Sequence, residues 1–528
     1  MRPPDVAQPL KLLGQCCPGR RIISATVGTT VLAILASPFV DAQDAELPAL
    51  KQQVEQLQKQ LNDLEKRSKE ATHPAVADSN SPSFNAGPVK VTLNGFVELM
   101  GIDRSRNEAA DWASNFNTGI PFPNSHNYHL SEFHLTERQS RIAALAQGPS
   151  DPNYATEAYV ETDFGGSTTN GNNNQSASFA PRVRHFYADY QNIQHGWYLL
   201  FGQNWSLVTA QKTGIVPRQE NIPLTIDGQY VPGFDWLRIP QLRLVKTFGS
   251  KLSVGISAEN PAAQVSAGTT APASANLNGN SFYNTVGAGN AYAPTTNITT
   301  DNVPDIIAKV AFDPGWGHYE VLGLTRWFRS RYTVVGQENN QTTHGYAVGG
   351  SLLLPIVAKR MDVQLSFLDG TGIGRYGSAG GPDVTVNPVN GSLSPLRGYH
   401  VLGGLILRPA TALTLFAYGG IEHVDARSYD VSSGVATPAL YGYGYGNPLF
   451  SNSGCGTEGS SACAANTSSI KAGAIGGWWK FYEGRLGNMQ IGASDTYIRR
   501  EIFPGVGGDP STNINIALVS FRYYPYQK

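Results

Sequence analysis

Three segments of the sequence carry an arginine between alternating apolar residues. Arg141 stands in SRIAALAQG, Arg184 in PRVRHFYADY and Arg243 in PQLRLVKTF. Successive side chains of a β-strand point to opposite faces, so each arginine is predicted to face away from its apolar neighbours. Guanidinium groups stay charged and bind carboxylate and phosphate oxygens. Arg182 shares the parity of Arg184 and joins the same candidate group of anion-attracting side chains.

The elements that would hold these arginines are strands, because a period of two begins at Val89. In VKVTLNGFVEL, Val89 and Val91 take one face, and Lys90 and Thr92 take the other. Such segments, separated by turns and long polar loops, are typical of a membrane barrel with an apolar outer face and a polar lumen. A soluble β-sandwich also alternates, but here the pattern repeats over residues 89–528 with no helical period between the segments.

The sequence therefore predicts an all-β transmembrane barrel over residues 89–528, with about 16 antiparallel strands at roughly 27 residues per strand and loop. An arginine facing lipid would cost about 2–4 kcal/mol at the membrane midplane, so the arginines are assigned to the lumen. Charged residues make up 15% of the chain, against about 25% in soluble domains. A net charge of −1 gives no basic field for nucleic acid.

Three parts are predicted before the barrel. Residues 1–43 are predicted to be a signal peptide, with Arg20 and Arg21 before a short apolar stretch and a cleavage site near Ala42; a short membrane anchor is the alternative. Residues 44–67 are predicted to form a periplasmic coiled coil. Residues 68–88, rich in Ser, Pro and Ala, are predicted to be a linker.

The coiled coil is predicted from a heptad pattern with polar residues around a narrow apolar stripe. About three heptads are marginal alone, so the helix would join chains that are already held together elsewhere. A solitary amphipathic helix on another surface is the alternative. The core positions are Leu47, Leu50, Val54, Leu57, Leu61 and Leu64.

Cys455 and Cys463 remain after removal of the signal peptide and lie in a loop rich in Gly, Ser and Ala. A cysteine pair in an oxidising compartment predicts one loop disulfide. The spacing matches no zinc site, which needs four ligands. The sequence also has no nucleotide-binding loop or nucleophile elbow. No metal, cofactor or catalytic residue is predicted, and the chain is not expected to be an enzyme.

A second basic group stands in LTRWFRSRY. Arg326 and Arg329 differ in parity, so both cannot face the lumen from one regular strand. Arg329 and Arg331 share parity and are the better candidates for the lumen. A solvated strand end is the alternative.

The arginine-bearing strands resemble those of general diffusion porins, in the order SRIAALAQG, RVRHFYADY, LLFGQNWS and QLRLVKTF. The resemblance implies that Arg141, Arg184 and Arg243 form a basic ladder at a constriction. It also implies an inward-folded loop whose carboxylates face the ladder. That loop would lie in about 204–238, with the candidate acids Glu220, Asp227 and Asp235.

The whole layout is similar to that of the DcaP-like trimeric porins. Leader, short coiled coil, linker and barrel occur in this order, with RQSR at Arg138–Arg141 and GQNWS at Gly202–Ser206. The resemblance implies a homotrimer in the outer membrane of a Gram-negative bacterium, with N-terminal helices in the periplasm. It also implies passage of small anionic solutes such as dicarboxylates.

The leading hypothesis is thus a water-filled channel in contact with outer-membrane lipid, through which small anions diffuse passively. A phosphate-selective porin is one alternative, and it would need a longer lane of arginine and lysine. A structural outer-membrane protein with a closed lumen is another. An outer-membrane enzyme would require a nucleophile positioned beside a base, and the sequence offers no such pair.

Overall fold

A computed structural model divides the chain into two units, 1–67 and 68–528. In the first unit only four residues are described, and all four are helical. The six predicted coiled-coil core residues and the predicted signal peptide lie outside the described part of the chain. The structure describes residues 55–56, 58–59, 82–110, 112–149, 151–166, 176, 179–266, 281–283, 299, 301–334, 337–388, 391–432 and 440–527.

The second unit is built almost wholly from strands. The first twelve are Ser83–Ala86 (β1), Val89–Arg104 (β2), Glu132–Thr136 (β3), Arg141–Gln147 (β4), Tyr154–Gly166 (β5), Ala180–Asn192 (β6), Trp197–Trp205 (β7), Arg238–Phe248 (β8), Leu252–Glu259 (β9), Val265–Ser266 (β10), Ser281–Tyr283 (β11) and Asp305–Phe312 (β12). The next twelve are His318–Val334 (β13), Gln337–Val357 (β14), Met361–Thr371 (β15), Val384–Val386 (β16), Leu393–Pro395 (β17), Arg397–Ala410 (β18), Leu413–Val424 (β19), Arg427–Ser432 (β20), Leu440–Tyr445 (β21), Thr467–Gly484 (β22), Gly487–Ile502 (β23) and Ser511–Tyr524 (β24). Short helical turns occur at Phe116–Gly119, His126–His129 and Gly374–Tyr376.

The main sheet holds 19 strands. Three of them are short additions: β1 pairs with the start of β2, β3 continues the line of β4 along β2, and β11 pairs with the end of β13. The remaining 16 strands (19 − 3) pair antiparallel in chain order. β24 pairs with β2 and closes the sheet, so the predicted antiparallel barrel of about 16 strands is confirmed.

The two ends of the barrel differ in their connections. One end, called here the short-turn end, carries the turns 148–153, 193–196, 249–251, 313–317, 358–360, 411–412 and 485–486. The other, the long-loop end, carries among others 105–131, 372–396 and 425–466. Among the described residues, no helix has the length and hydropathy needed to cross a membrane.

The wall alternates as the sequence predicts. On β8, Leu242 and Leu244 are 53% and 41% exposed on the outer face, whereas Arg243 and Val245 point inward and are fully buried. Apolar side chains thus form the outer surface, and the inner face carries both polar and apolar residues. Two apolar clusters inside the barrel include residues of the long segment between β7 and β8.

That segment, residues 206–237, folds into the barrel and is called here the inner loop. Its backbone and side chains hydrogen-bond to inward-facing residues on many strands, which are Glu157, Glu259, Glu320, His400, Tyr418 and Glu422. Gly233 has a φ of +90°, and a Cβ there would clash with the Val401 carbonyl oxygen. Only glycine therefore allows so close an approach to the wall. The predicted inward loop at about 204–238 corresponds to this segment.

The predicted linker, 68–88, overlaps the hairpin of β1 and β2, since Ser83–Ala86 is a strand paired with Val89–Thr92. The pairing brings Ala86 opposite Val89 across a two-residue turn at Gly87 and Pro88. The sequence pattern missed this strand because its residues, SFNA, are exposed and show no apolar period.

Candidate pore constriction

Four inward-facing arginines from three alternate strands of the wall come together beside the inner loop. Arg141 begins β4, Arg182 and Arg184 lie on β6, and Arg238 begins β8. Glu161 and Asp163 join Arg141, Arg184 and Arg182 in ion pairs, and Arg238 packs on Trp205, which contacts His185 beside Arg184. The four arginines are called here the arginine cluster.

A bulge in β6 explains why Arg182, Arg184 and Tyr187 can all face the inside of the barrel. Glu161 pairs with His185, but the next pair is Thr162 with Val183, so Arg184 is the extra residue. A bulge reverses the facing of the residues beyond it. Tyr187 is consequently buried inside the barrel, although simple alternation would place it on the face of Val183.

Two carboxylates of β5 face the arginine cluster. Arg184 Nε donates to Glu161 Oε1 at 2.5 Å, and Arg184 Nη1 donates to Asp163 Oδ2 at 2.8 Å. Arg182 holds Asp163 through both oxygens, at 2.9 and 2.6 Å. Arg141 Nη1 lies 3.7 Å from Glu161 Oε1. The two acids hold Arg182 and Arg184 in place through charge-assisted hydrogen bonds, whereas Arg141 forms only a longer ion pair with Glu161.

Arg238 has a different environment, because it lies against aromatic rings and not against acids. Its guanidinium carbon is 5.0 Å from the ring centres of both Trp205 and Trp236. Tyr230 of the inner loop packs edge-on to Trp236 at 5.5 Å. Cation–π contact stabilises the guanidinium without neutralising its charge, so Arg238 keeps a net positive charge in the cluster.

The charge of this site is therefore positive. Four arginines and two carboxylates give 4 − 2 = +2. The Arg141 side chain is 24% exposed and that of Arg182 is 35% exposed, so both reach water inside the barrel. The arrangement can attract and bind small anions.

Arg243, the third arginine of the predicted ladder, does point inward but lies apart from the cluster. It is fully buried, and its Nη2 donates to the Trp205 carbonyl oxygen at 2.5 Å. The carboxylates that act on it are Glu220 and Glu259. The beginning of the inner loop covers this side chain, so the predicted three-membered ladder is wrong in its third member.

The predicted loop acids lie in the inner loop, but they do not face Arg141 and Arg184. Glu220 is buried near Arg243, Lys212 and Arg218. Asp227 accepts the backbone N–H of Gln229 at 2.7 Å. Asp235 Oδ1 is 2.5 Å from Nδ1 of His400 on β18.

The sequence reasoning missed the acids that do face the cluster. The alternation of EAYVETDF already places Glu161 and Asp163 on the inner face, but only the paired strands show that they meet Arg184. Arg238 was missed because it is the first residue of β8 and follows an irregular segment, so no preceding strand residues indicate which face it takes.

The second basic group also differs from the prediction. Arg326 is the inward residue and is fully buried, with Nε 3.0 Å from Asp305 Oδ2 and Nη1 2.7 Å from Asp383 Oδ1. Arg329 has the opposite parity and lies on the outer side. The preference for Arg329 and Arg331 over Arg326 is therefore wrong. With two carboxylates on one arginine, this group adds no positive charge.

A disulfide joins Cys455 and Cys463 at the long-loop end. The bridged loop contacts the segment between β2 and β3: Asn124 N–H donates to the Cys455 carbonyl oxygen at 3.1 Å, and His126 Nδ1 lies 2.6 Å from Glu458 Oε1. The hydrogen bond with His126 lowers the pKa of Glu458. Within the described ranges, no group of three or more His, Cys, Asp and Glu side chains could hold a metal ion.

Comparison with solved structures bears on the fold. The outer membrane channel DcaP of Acinetobacter baumannii is 17% identical, with a TM-score of 0.58 over 84% of this chain and 99% of that one. The chain has the fold of an outer-membrane channel.

Two further structures match over most of their length, with TM-scores below 0.5. OmpT, an outer membrane protein of Vibrio cholerae, is 10% identical with a TM-score of 0.43 over 84% of this chain and 100% of that one. An anion-selective porin from Comamonas acidovorans is 8% identical with a TM-score of 0.39 over 83% and 99%. Protein-family models give no match, and neither do curated proteins.

Proposed function

We propose that the protein is an outer-membrane porin through which small anions, such as dicarboxylates, diffuse passively. The observation that carries this proposal is the net charge of +2 at the arginine cluster, beside a loop that narrows the lumen. Fixed cations in a low-dielectric channel raise the local concentration of anions. No covalent step and no energy source are required.

The cluster suits a small carboxylate because some of its arginines are held by acids and others can bind a solute. Glu161 and Asp163 hold Arg184 and Arg182 rigidly, while Arg238 and Arg141 keep charge to offer to a solute. Arginine presents donors in a planar fork that matches a carboxylate. The aromatic rings of Trp205, Tyr230 and Trp236 form an apolar wall beside that fork. A solute with two carboxylates on a short carbon chain would meet both environments.

A homotrimer is the second part of the proposal, and the outer surface supports it. Asp103 on β2 and Asp495 on β23 are both exposed on the outer face, opposite Ala517 on either side of β24. Asp495 lies midway along its strand. Charge on a lipid-facing wall is unfavourable, whereas the wall of another subunit would cover these carboxylates. In this arrangement the short-turn end and the N-terminal helices lie in the periplasm.

The test is the reversal potential of purified protein in planar bilayers under a salt gradient. We expect conducting steps with a preference for anions, and succinate should reduce the chloride current in proportion to its binding. Cation preference would contradict the anion proposal and leave a general pore.

A protein without a conducting lumen is the competing function, because the interior is well filled. Arg326 and Lys309 are fully buried there, and Phe234 of the inner loop packs in the largest internal apolar cluster. Folded protein that shows no conductance at any voltage would favour this structural role.

A further inference from the structure

A water-accessible cavity of about 430 Å³ opens at the short-turn end, and none of the four arginines of the cluster lines it. The turns 249–251 and 313–317 form one side of it, and Leu353 and Pro355 of β14 form another. Lys212 and Thr213 of the inner loop complete the lining.

The inner loop reaches this cavity through a hairpin. Gln211 and Glu220 pair as a bridge, and Lys212 N–H donates to the Gln219 carbonyl oxygen at 2.7 Å. On one side of the hairpin, Arg218 Nη2 donates to Glu157 Oε2 at 2.7 Å. On the other side, Gly214 N–H donates to Asp313 Oδ2 at 2.9 Å. The hairpin is thus held to two different parts of the wall.

The two aspartates that line the cavity have partners, and the two lysines differ from them in this respect. Asp313 is occupied by Gly214 and by His318, whose Nδ1 lies 2.8 Å from Asp313 Oδ1. Asp362 is occupied by Arg408, at 2.5 Å. Lys212 and Lys251 are exposed to the cavity, and within the described part of the chain neither ammonium group lies in an ion pair. Two cations of the same lining are therefore open to a ligand.

We propose that this cavity is a second anion-binding station, formed by Lys212 and Lys251, for a small solute that bears two carboxylates or a phosphate. This inference rests on the proposed function, since it adds a binding step at the end of the channel opposite the long loops. The hydroxyl groups of Thr213 and Ser250 line the same cavity and would complete the hydrogen bonds that a carboxylate accepts.

A second, weaker anion site at this end would help the solute to leave the channel. A single strong anion site would hold a solute too long, whereas conduction requires sites from which the solute can leave. Lysine is a flexible point charge and makes weaker, less directional contacts than the arginine fork. A solute released from the arginine cluster would bind Lys212 and Lys251 before it enters bulk water.

The experiment is equilibrium binding of succinate, and separately of inorganic phosphate, to the full-length protein in detergent by calorimetry. In the double variant Lys212→Gln with Lys251→Gln, one of the two classes of site should bind succinate about ten-fold more weakly, while the other class is unchanged. The variant Lys212→Arg with Lys251→Arg should retain both classes. Lys246→Gln is the matched control, because Lys246 lies at the same end but on the outer face, 5.1 Å from the Trp197 ring centre.

In planar bilayers, succinate added at the short-turn side should reduce the current less in the Lys212/Lys251 glutamine variant than in the wild type. Unchanged binding and unchanged current reduction in that variant would overturn the second station while leaving the channel intact. Wild-type protein that binds succinate at Lys212 and Lys251 but conducts nothing would contradict the proposed function and not this site. A phosphate-only response would identify phosphate as the solute class of the station.

Discussion

Replacing Arg238 by glutamine removes a positive charge that no carboxylate in the cluster neutralises. The net charge of the arginine cluster should fall from +2 to +1, while Glu161 and Asp163 keep their partners on Arg184 and Arg182. Trp205 and Trp236 would then pack against a neutral amide on a shorter side chain. The wall and the inner loop should remain folded.

The size of the effect follows from the distance and the medium. One charge about 5 Å from a passing anion contributes about 0.8 kcal/mol in water and about 3 kcal/mol at an effective dielectric constant of 20. The cluster is partly wetted, since the Arg141 side chain is 24% exposed, so the lower value is the better guide. The anion permeability should therefore fall about four-fold, and the anion-to-cation permeability ratio about 16-fold, because the same charge attracts the anion and repels the cation. The double variant with Arg141→Gln should remove most of the remaining preference.

The assay is the reversal potential in a potassium chloride gradient, near 0.1 M, where the Debye length is about 10 Å. Arg397→Gln is the control: this arginine is 66% exposed at the rim of the barrel, outside the cluster. Selectivity should follow the cluster charge from +2 through +1 to zero. If the double variant kept the full anion preference, the cluster would not be the selectivity-determining site.

Three other changes test separate parts of the structure. Cys455→Ser with Cys463→Ser should cost the bridged loop about 2–3 kcal/mol of local stability, seen as faster proteolysis there with unchanged conductance; a lower melting temperature of the whole barrel would refute this local role. Asp313→Asn should loosen the hairpin of the inner loop and increase current noise. Burial raises the pKa of Asp313, but hydrogen bonds from His318 and Gly214 outweigh it and hold the pKa below its ordinary value of 3.8. The Asp313 carboxylate therefore stabilises the hairpin fully above that pH, and this stabilisation is lost as the pH falls through the lowered pKa. The current noise of the wild type should accordingly rise only in strong acid. Asp495→Leu should lower the temperature at which the proposed trimers dissociate on semi-native gels, and equally stable trimers would place the subunit contact elsewhere.

The wall of the barrel could be predicted from the sequence because strand parity is a local property. Each apolar residue of β8 that faces outward fixes the facing of its neighbour, and Arg243 was correctly placed on the inner face. Parity cannot say how deeply a side chain is covered, since cover comes from the inner loop. For that reason Arg243 was predicted as a pore residue, whereas it is fully buried beneath that loop.

Which residues form the arginine cluster depends on contacts between strands, and the alternation within a single strand does not give those contacts. Arg238 joins Arg184 because β6, β7 and β8 lie side by side, and the bulge at Arg184 brings that arginine towards Glu161 and Asp163. A single extra residue in β6 is invisible in a pattern of polar and apolar letters. The resemblance to general diffusion porins suggested the acids of the inner loop as partners of the arginines. The partners that these acids have in the structure depend on where the inner loop crosses the lumen.

The route by which the molecule is put together follows from the enclosure of residues 206–237. A segment that hydrogen-bonds to side chains on β5, β9, β13, β18 and β19 cannot be threaded into a finished cylinder. It must already lie against the growing sheet before β24 docks on β2. Pairing of β24 with β2 then encloses the inner loop, and a barrel that closed before the inner loop had packed would leave this segment outside.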